Sequence, residues 1–381
     1  MMTPSFRSLA LLARAPVAMA LVVLLGACAS GTKKPEPAAL QPVAALVSAS
    51  NSWTGSIGKV NFPLDLGVSG NTVGVAGGDG TVALLDAQSG RDIWRVALNT
   101  PIAAGVGSDG KTLAVVTKAN EVVALQAGRE LWRAKLTAQV FTAPFVAGER
   151  VFVLAADRSV NAFDGQSGRR LWTQQRPSEP LVLRQSGVML AVGNTLVVGL
   201  GGRLAGLDPS SGSVQWEAPI ASPRGINDVE RLVDLVGRVS RDGDNVCVRA
   251  FQASIGCVNV AQGQLLWTKP ANGMQGIHGD DRLLFGTEAD GTVLAWRRTD
   301  GERAWSSEQL RYRGLTAPLV AGRSVVIGDA TGFIHLLSRE DGSLLNRLPT
   351  DGSAIAAAPV LAGNTLIAVT HNGGVFGFKP E

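Results

Sequence analysis

One short stretch has the residue types and spacing of a nucleotide-binding loop. Residues 105–112 read GVGSDGKT and fit the phosphate-binding pattern G-x-x-x-x-G-K-[ST] at every position. In a true phosphate loop the pattern joins a strand to a helix, whose N-terminus helps to hold the anion. Here TLAVVT follows and predicts a strand, and similar segments elsewhere place VAGERV, VAGRSV and LAGNTL at this point. The pattern therefore predicts a hairpin turn at Lys111, without nucleotide binding.

The other residues capable of chemistry do not form a catalytic or metal-binding pattern. The only three histidines are scattered and lack the spacing of a ligand pair: His278, His335 and His371. Three aspartates recur just before a turn-forming run, where an Asp side chain accepts backbone hydrogen bonds: Asp86, Asp164 and Asp208. We expect these to be structural, and we expect no enzyme activity, no metal and no cofactor.

The N-terminus carries a targeting signal. Arg7 and Arg14 precede an apolar run over residues 15–27, which is short for a membrane span and typical of a secretory signal. The run ends in LGAC, which resembles the lipobox of bacterial lipoproteins and implies lipid on the sulfur of Cys28. The alternative is an ordinary secreted protein with a different cleavage site. Because Ala29 replaces the Asp that favours inner-membrane retention, the resemblance implies the outer membrane, facing the periplasm.

The mature chain is predicted to begin with a tether. Residues 28–50 are rich in Pro and Ala, and as a flexible coil about 24 residues reach roughly 25–30 Å. We expect the folded domain to cover residues 51–381. Removal of residues 1–27 takes away two Arg and no acid, so the net charge falls from +4 to +2. That balance does not indicate a nucleic-acid-binding surface.

Two cysteines remain in an oxidising compartment, Cys247 and Cys257. They flank VRAFQASIG, which predicts a hairpin. If the turn centres on Gln252 the two side chains face each other and can form a disulfide. If it centres between Gln252 and Ala253 they point to opposite faces of the sheet.

A repeat of about 40 residues organises the chain and must position every candidate residue. Its mark is a Trp, and in LDAQSGRDIW and most other copies a Gly lies four residues before it. The eight marks are Trp53, Trp94, Trp132, Trp172, Trp216, Trp267, Trp305 and, in the place of an eighth Trp, Asn346. Between marks lie four short alternating segments, typical of β-propeller blades. The sequence predicts an all-β, eight-bladed propeller with four antiparallel strands in each blade.

The ends of the chain predict how the ring closes. After residue 354 only three strand segments remain, and the missing fourth segment carries Trp53 near the N-terminus. We expect the N-terminal strand to pair with the C-terminal blade, which would leave no open sheet edge in the ring.

The repeat resembles that of pyrroloquinoline quinone-dependent dehydrogenases, which are also eight-bladed. This resemblance implies an alternative function as a quinone-dependent enzyme or a sensor. The chain lacks the adjacent cysteines and the c-type haem motif of those enzymes. A shared fold alone does not transfer function.

Function is expected where the repeat is interrupted. Two neighbouring connections are unusually long, from Trp172 to Gly193 and from Trp216 to Gly243, and both leave their blades on the same face. They contain PLVLRQSG (residues 180–187) and RGINDVERLVDLVGRV (residues 224–239). Leu and Val in such connections are either tucked beneath the loop or offered to a partner.

With these loops, the lipobox, the tether and the eight blades, the chain resembles the BamB lipoproteins of the outer-membrane β-barrel assembly machinery. In that family an L-x-L-R segment and an R-L-x-D-x-D segment bind BamA. They match Leu181, Leu183, Arg184, Arg231, Leu232 and Asp234, while Val236 replaces the second acid.

The resemblance implies a non-enzymatic scaffold that docks onto a periplasmic POTRA domain of BamA and meets the other assembly lipoproteins indirectly. Leu183 would supply buried apolar area and Arg184 a planar donor. Asp234 would pair with a partner cation or hold Arg184 or Arg231 in place. Direct contact with nascent outer-membrane barrels is left open by the sequence.

Overall fold

The computed structural model describes residues 35–175, 181–223 and 226–380. The chain divides into two compact units, Met1–Pro37 and Ala38–Glu381. Of the first unit only residues 35–37 are described, and they belong to no helix or strand. The predicted signal peptide and Cys28 lie outside the described residues.

The second unit is built from eight four-stranded antiparallel sheets, which are the blades of a β-propeller. Blades 1 to 4 contain, in order, β2 (Gly67–Ser69), β3 (Thr72–Ala76), β4 (Thr81–Asp86), β5 (Asp92–Ala97); β6 (Ile102–Ser108), β7 (Thr112–Thr117), β8 (Glu121–Gln126), β9 (Arg129–Lys135); β10 (Phe145–Ala147), β11 (Arg150–Leu154), β12 (Val160–Asp164), β13 (Arg170–Gln174); β14 (Met189–Val192), β15 (Thr195–Leu200), β16 (Arg203–Leu207) and β17 (Val214–Pro219). Blades 5 to 8 contain β18 (Leu235–Asp242), β19 (Asn245–Ala250), β20 (Ser254–Asn259), β21 (Gln264–Pro270); β22 (His278–Gly279), β23 (Leu283–Thr287), β24 (Val293–Arg297), β25 (Arg303–Ser307); β26 (Leu319–Ala321), β27 (Ser324–Gly328), β28 (Phe333–Ser338), β29 (Leu344–Pro349); and β30 (Val360–Ala362), β31 (Thr365–Val369), β32 (Gly374–Pro380) with β1 (Ala49–Ser56). The predicted all-β, eight-bladed architecture is confirmed.

The burial of the strands follows from their place in the blade. Middle strands such as β7, TLAVVT, are buried on both faces because each blade is covered by a neighbour on either side. Outer strands such as β21, QLLWTKP, alternate between exposed and half-buried side chains. The apolar core is therefore a series of layers between blades, which a single blade could not form alone.

The ring closes as the sequence predicts. Strand β1 pairs with β32 in blade 8, with Ala49 opposite Pro380 and Trp53 opposite Gly377. The N-terminal strand thus supplies the outer strand of the last blade, and blade 8 has the same four-stranded form as the others.

The repeated Gly and Trp form the contact between adjacent blades. Gly90 adopts a φ of 70°, and a Cβ atom added to it would lie 2.3 Å from Cε3 of Trp53 in the preceding blade. Trp53 Nε1 also donates a hydrogen bond to the carbonyl oxygen of Ala87, at 2.9 Å. Glycine is required at this turn for two reasons, the left-handed backbone and the indole that covers it.

The first residues of the propeller unit are bound to blade 7, which differs from the expected tether. The amide of Leu46 donates to the carbonyl of Leu345 at 2.9 Å, and Arg313 Nη1 donates to the carbonyl of Ala38 at 3.0 Å. Arg347 Nη2 donates to the carbonyl of Gln41 at 3.1 Å. We call residues 38–48 the strap. The folded unit thus begins at Ala38 rather than at residue 51, because arginine side chains and strand β29 bind the strap backbone.

The eighth mark has a partner of its own in the strap. Asn346 Nδ2 donates to the carbonyl of Val47 at 2.7 Å, where the other marks carry an indole against a glycine turn. The strap also covers Leu345, which is only 7% exposed, whereas Ile93 at the same place in blade 1 is 52% exposed. The outer strand of blade 7 is therefore the one that the N-terminal segment shields.

The cysteine hairpin adopts the first of the two registers considered above. Its turn centres on Gln252, Cys247 lies opposite Cys257 in the β19–β20 pair, and the two sulfur atoms form a disulfide. Both cysteines are buried.

The strand order gives the propeller two faces. The connections between blades and the turns between second and third strands lie on one face, which we call the upper face. The remaining hairpin turns lie on the other, lower face. Lys111 is exposed in the β6–β7 turn of the lower face, and Asp109 accepts hydrogen bonds from the amides of Lys111 and Thr112. The motif at residues 105–112 is thus a strand and a hairpin turn.

Candidate functional site

The two long connections meet on the upper face. The first joins β13 to β14 and the second joins β17 to β18. Gly187 of the first forms an isolated antiparallel bridge with Val236, and the amide of Gly237 donates to the carbonyl of Ser186 at 2.9 Å. The first connection is therefore anchored on the strand that directly follows the second.

An ion pair that the sequence analysis missed joins the two connections further out. Arg158, in the β11–β12 turn, donates from Nη2 to Asp234 Oδ1 at 3.0 Å. Asp234 Oδ2 accepts a hydrogen bond from the amide of Leu183, also at 3.0 Å. The carboxylate of the second connection thus holds the backbone of the first, and its cation comes from a third segment of the chain.

These contacts correct one of the two roles expected for Asp234, that of holding Arg184 or Arg231 in place. Neither Arg184 nor Arg231 is its partner; both of its oxygens are used by Arg158 and the amide of Leu183. Its side chain is only 14% exposed. Asp234 is a positioning residue, since it orders the first connection from beneath.

The L-x-L-R residues divide between the surface and the interior. Leu181 is 38% exposed, and Arg184 is exposed with its guanidinium 5.8 Å from the ring centre of Phe141. Leu183 is half-buried and lines a cavity of about 50 Å³ beneath the loop, together with Leu154 and Leu235. Leu181 and Arg184 are thus presented to solvent, while Leu183 packs in part toward the propeller. The expected contact of Leu183 with a partner stays a prediction.

The second connection folds as a compact turn before Asp234. The amide of Arg231 donates to the carbonyl of Asn227, and the amide of Leu232 donates to that of Val229, both at 3.2 Å. Arg231 and Leu232 are half-buried. Two neighbours that sequence reasoning did not single out are far more exposed, Ile226 at 100% and Val229 at 69%.

Val236, which stands where the family has a second acid, is not a surface residue. It is 1% exposed in β18, opposite Arg249 of β19. Arg249 is fully buried and already pairs with Glu288 at 2.8 Å. A carboxylate at residue 236 would therefore be buried within the blade, and the Val does not remove a charge from the exposed surface.

The first connection also reaches the axis of the propeller. Ser186 Oγ donates to Asp65 Oδ2 at 2.5 Å, across a channel of about 820 Å³ that Arg184 and Arg238 also line. Asp65 belongs to the segment that leads from β1 into blade 1. Two residues in the second half of the first connection are thus fixed, Leu183 by Asp234 and Ser186 by Asp65.

The recurring aspartates stabilise the turns that follow them. Asp86 Oδ1 accepts hydrogen bonds from the amide and hydroxyl of Ser89, and these bonds lower the pKa of the carboxyl below its usual value. Asp164 and Asp208 make the same bonds to Ser167 and to Ser210. Their pKa values are lowered in the same way.

Each histidine has a structural contact. His278 Nδ1 accepts from the amide of Val320, His335 Nε2 lies 3.0 Å from Asp329 Oδ2, and His371 Nδ1 lies 2.6 Å from the carbonyl of Val60. Among the described residues no group of His, Cys, Asp and Glu has the arrangement of a metal site. In the same residues we find no apolar helix of membrane-spanning length.

The fold and the surface together define an eight-bladed propeller of the quinoprotein-like repeat class. Two long connections between blades distinguish its upper face. The family model that matches is described as outer membrane protein assembly factor BamB, and it covers residues 78–307. The chain is 38% identical to the BamB of Burkholderia pseudomallei over 373 residues, 96% of this chain and 98% of that protein. It is 36% identical to the BamB of Bordetella pertussis, over 89% of each chain. The chain belongs to the BamB family.

Solved structures agree on the fold. BamB from Moraxella catarrhalis superposes with a TM-score of 0.79 at 22% identity, over 87% of this chain and 99% of that one. A quinohemoprotein alcohol dehydrogenase from Comamonas testosteroni gives 0.67 at 14% identity, over 88% and 78%. At these identities the likeness concerns the fold alone. The curated relatives are named as assembly factors and not as enzymes, in agreement with the expected non-enzymatic scaffold.

Proposed function

We propose that this protein is a lipid-anchored scaffold of the outer-membrane assembly machinery that binds a periplasmic POTRA domain of BamA and so assists the folding and insertion of barrel proteins. Lipid on Cys28 holds it to the outer membrane. The contact surface lies on the upper face and centres on Leu181 and Arg184, and it includes the exposed Ile226 and Val229 of the second connection.

The observation that carries the proposal is the link from Arg158 through Asp234 to the amide of Leu183. It fixes the backbone of the first connection against the start of blade 5 before any partner arrives. A preordered loop loses less conformational entropy on binding, so more of the contact energy appears as affinity.

The exposed side chains define what the partner must offer. Leu181, Ile226 and Val229 provide apolar area, and Arg184 provides a planar donor that suits a carboxylate or a row of backbone carbonyls. Since Asp234 is already paired, the partner need not supply a cation to it. The site therefore fits an apolar surface bordered by acceptor oxygens.

The test is a double substitution of the exposed pair, in which Leu181→Asp introduces a negative charge and Arg184→Glu reverses a positive one. Interface anchors of this kind lose about 2 kcal/mol or more on truncation, roughly thirtyfold in affinity. We expect the double variant to lose co-purification of BamA from solubilised membranes while its melting temperature stays that of the parent. Neither side chain is buried in a blade.

The matched control reverses two exposed charges on the lower face, Lys111→Asp with Arg129→Glu. This pair changes net charge similarly but leaves the upper face intact, so BamA should co-purify as before. Retention of BamA by the Leu181/Arg184 variant would refute the surface assignment. Loss of BamA from both variants would also refute it, since the effect would then not depend on the face.

The anchor is tested separately with Cys28→Ser. Without the sulfur there is no attachment point for lipid, and the folded unit begins only at Ala38. We expect the variant to leave the membrane fraction with an unchanged melting temperature. Recovery of folded variant wholly in the membrane fraction would contradict lipid attachment at this residue.

A further inference from the structure

The seam between blades 7 and 8 differs from the other seven junctions. Elsewhere an indole lies on a glycine turn of the next blade, as Trp305 does on Gly342. At the seam Asn346 takes the place of the Trp, and the chain termini take the place of the turn. This junction therefore lacks both the indole and the glycine turn that pack together at the other seven.

A cavity of about 400 Å³ lies at this seam, and its lining includes Leu336, the residue opposite Asn346 in the sheet. Its walls include Val326 and Leu336 of blade 7 and Leu366 and Phe378 of blade 8, all four buried members of one apolar core cluster. Leu361 also lines the cavity and is 41% exposed, so the cavity is open to solvent on this side. The volume lies within the range of about 300–1,000 Å³ that is usual for ligand pockets.

Among the lining residues that the structure describes, the charged side chains have one sign. Arg323 and Lys379 are both present, and no Asp or Glu lines the cavity among the described residues. The guanidinium of Arg323 donates to the carbonyl of Leu46, a neutral acceptor, so this contact leaves its charge uncompensated. Within the described part of the chain neither cation forms an ion pair.

We propose that this seam cavity is a binding site for a single-chain amphiphile with an anionic head, either a carboxylate or a phosphate. The alkyl chain lies among Val326, Leu336, Leu366 and Phe378. The head lies at the mouth with Arg323 and Lys379. Removal of the chain from water drives binding, and the two cations select the sign of the head.

The experiment uses the full lipidated protein in lipid nanodiscs and a photoreactive alkyl carboxylate as the probe. We expect saturable labelling that maps to residues 319–326 and 360–380. Dodecanoate and dodecyl phosphate should each compete, whereas dodecyltrimethylammonium, with the same tail and a cationic head, should compete at least about tenfold less well, a difference of about 1.4 kcal/mol. Whichever anion competes better identifies the head group.

Two variants separate the head from the tail. Arg323→Glu with Lys379→Glu should reverse the preference, so that the cationic amphiphile competes better while labelling stays at the seam. Ala321→Trp, at a half-buried position in the lining, should reduce labelling by filling the cavity. The Lys111/Arg129 reversal on the lower face should change neither result, and melting temperatures report whether each variant is folded.

Several outcomes would overturn the proposal. They are labelling that does not saturate or that spreads over the surface, equal competition by both head-group charges, and an unchanged preference in a folded Arg323/Lys379 variant. Labelling of the Cys28→Ser protein but not of the lipidated one would mean that the protein's own acyl chain fills the cavity. None of these results depends on BamA binding.

Discussion

Arg158 Nη2 lies 3.0 Å from Asp234 Oδ1, and the two side chains are only 16% and 14% exposed. Seventy-six residues separate them in sequence. Because the second oxygen of Asp234 accepts the amide of Leu183, the pair controls the backbone beneath the proposed contact surface without belonging to it.

Truncation of this pair should weaken partner binding indirectly. In Arg158→Ala the carboxylate of Asp234 stays largely buried without its cation, which costs more than an exposed pair would. We expect affinity for a purified POTRA domain to fall about tenfold, or about 1.4 kcal/mol, with Leu181 and Arg184 intact. Titration calorimetry measures the change.

A double-mutant cycle distinguishes positioning from direct contact. Asp234→Asn keeps an oxygen for the amide of Leu183 and removes the charge that Arg158 neutralises, so the Arg158→Ala/Asp234→Asn protein should bind better than Arg158→Ala alone. If the two losses simply add, Arg158 acts on the partner itself and the positioning role is wrong.

The blade junctions make a prediction about two glycines with similar backbones. Gly90 and Gly70 both have positive φ, 70° and 55°, but only Gly90 lies under an indole, since nothing is within 4 Å of a Cβ at Gly70. Each change to Ala carries the left-handed cost of roughly 1–2 kcal/mol. Gly90→Ala should lose a further 1–3 kcal/mol or so through overpacking against Trp53. Urea unfolding of the two variants provides the comparison. Equal losses in the unfolding midpoint would mean that Trp53 moves aside without a loss of stability.

The disulfide should stabilise the protein and resist reduction until the protein unfolds. The chain-entropy estimate for a loop of this size is about 2–3 kcal/mol, so Cys247→Ala with Cys257→Ala should lower the free energy of unfolding by up to that amount. Both sulfurs belong to buried residues, 0% and 1% exposed. Dithiothreitol should therefore leave the native protein oxidised at temperatures well below its melting point, as thiol counting by mass spectrometry would show. Rapid reduction of the folded protein would contradict this.

His278 should make stability fall in mild acid. Burial, then the charges of Arg238 and Arg298, lower its pKa to about 4, and its Nδ1 accepts the amide of Val320. The unfolded chain protonates this histidine near pH 6.5, before the folded protein does. Its contribution is therefore complete above about pH 6.5 and is lost as pH falls toward 4, by about 1.4 kcal/mol per pH unit within that window.

The matched variant is His278→Asn, whose side-chain oxygen can accept from Val320 without titrating. Its unfolding free energy should decline less steeply between pH 6.5 and 5 than that of the parent. His335, whose pKa burial also lowers, contributes to the slope of both proteins and cancels in the comparison. Parallel slopes would mean that His278 takes up its proton over the same pH range in the folded and the unfolded protein.

The architecture could be predicted from the sequence because its signal is repeated. Each Gly–Trp spacing reports one blade junction, and the position of Trp53 alone indicates how the ring closes. The hairpin at Lys111 followed from comparison with its sister turns. These predictions depend on local backbone geometry, which nearby residues determine.

The details of the site could not be predicted because they depend on contacts distant in sequence. Nothing in the turn around Arg158 indicates that Asp234 will be its partner. The spacing of Leu181 and Leu183 does not indicate which of the two side chains faces the propeller. The strap was missed for a related reason. Its Pro- and Ala-rich composition is typical of a linker, but Arg313 and Arg347 bind its backbone carbonyls, and carbonyls are the same in every sequence.

Because the strap is bound to blade 7, the flexible tether between the anchor and the folded propeller is shorter than the sequence predicts. If Cys28 carries the lipid, as we propose, only the ten residues up to Ala38 separate the acyl chains from the folded unit, and even fully extended they span at most about 33–36 Å. A tether that extended to residue 51 would have a maximum length more than twice as great. The shorter tether keeps the start of the folded unit closer to the anchor, which raises the effective concentration of the propeller for partners at the membrane surface.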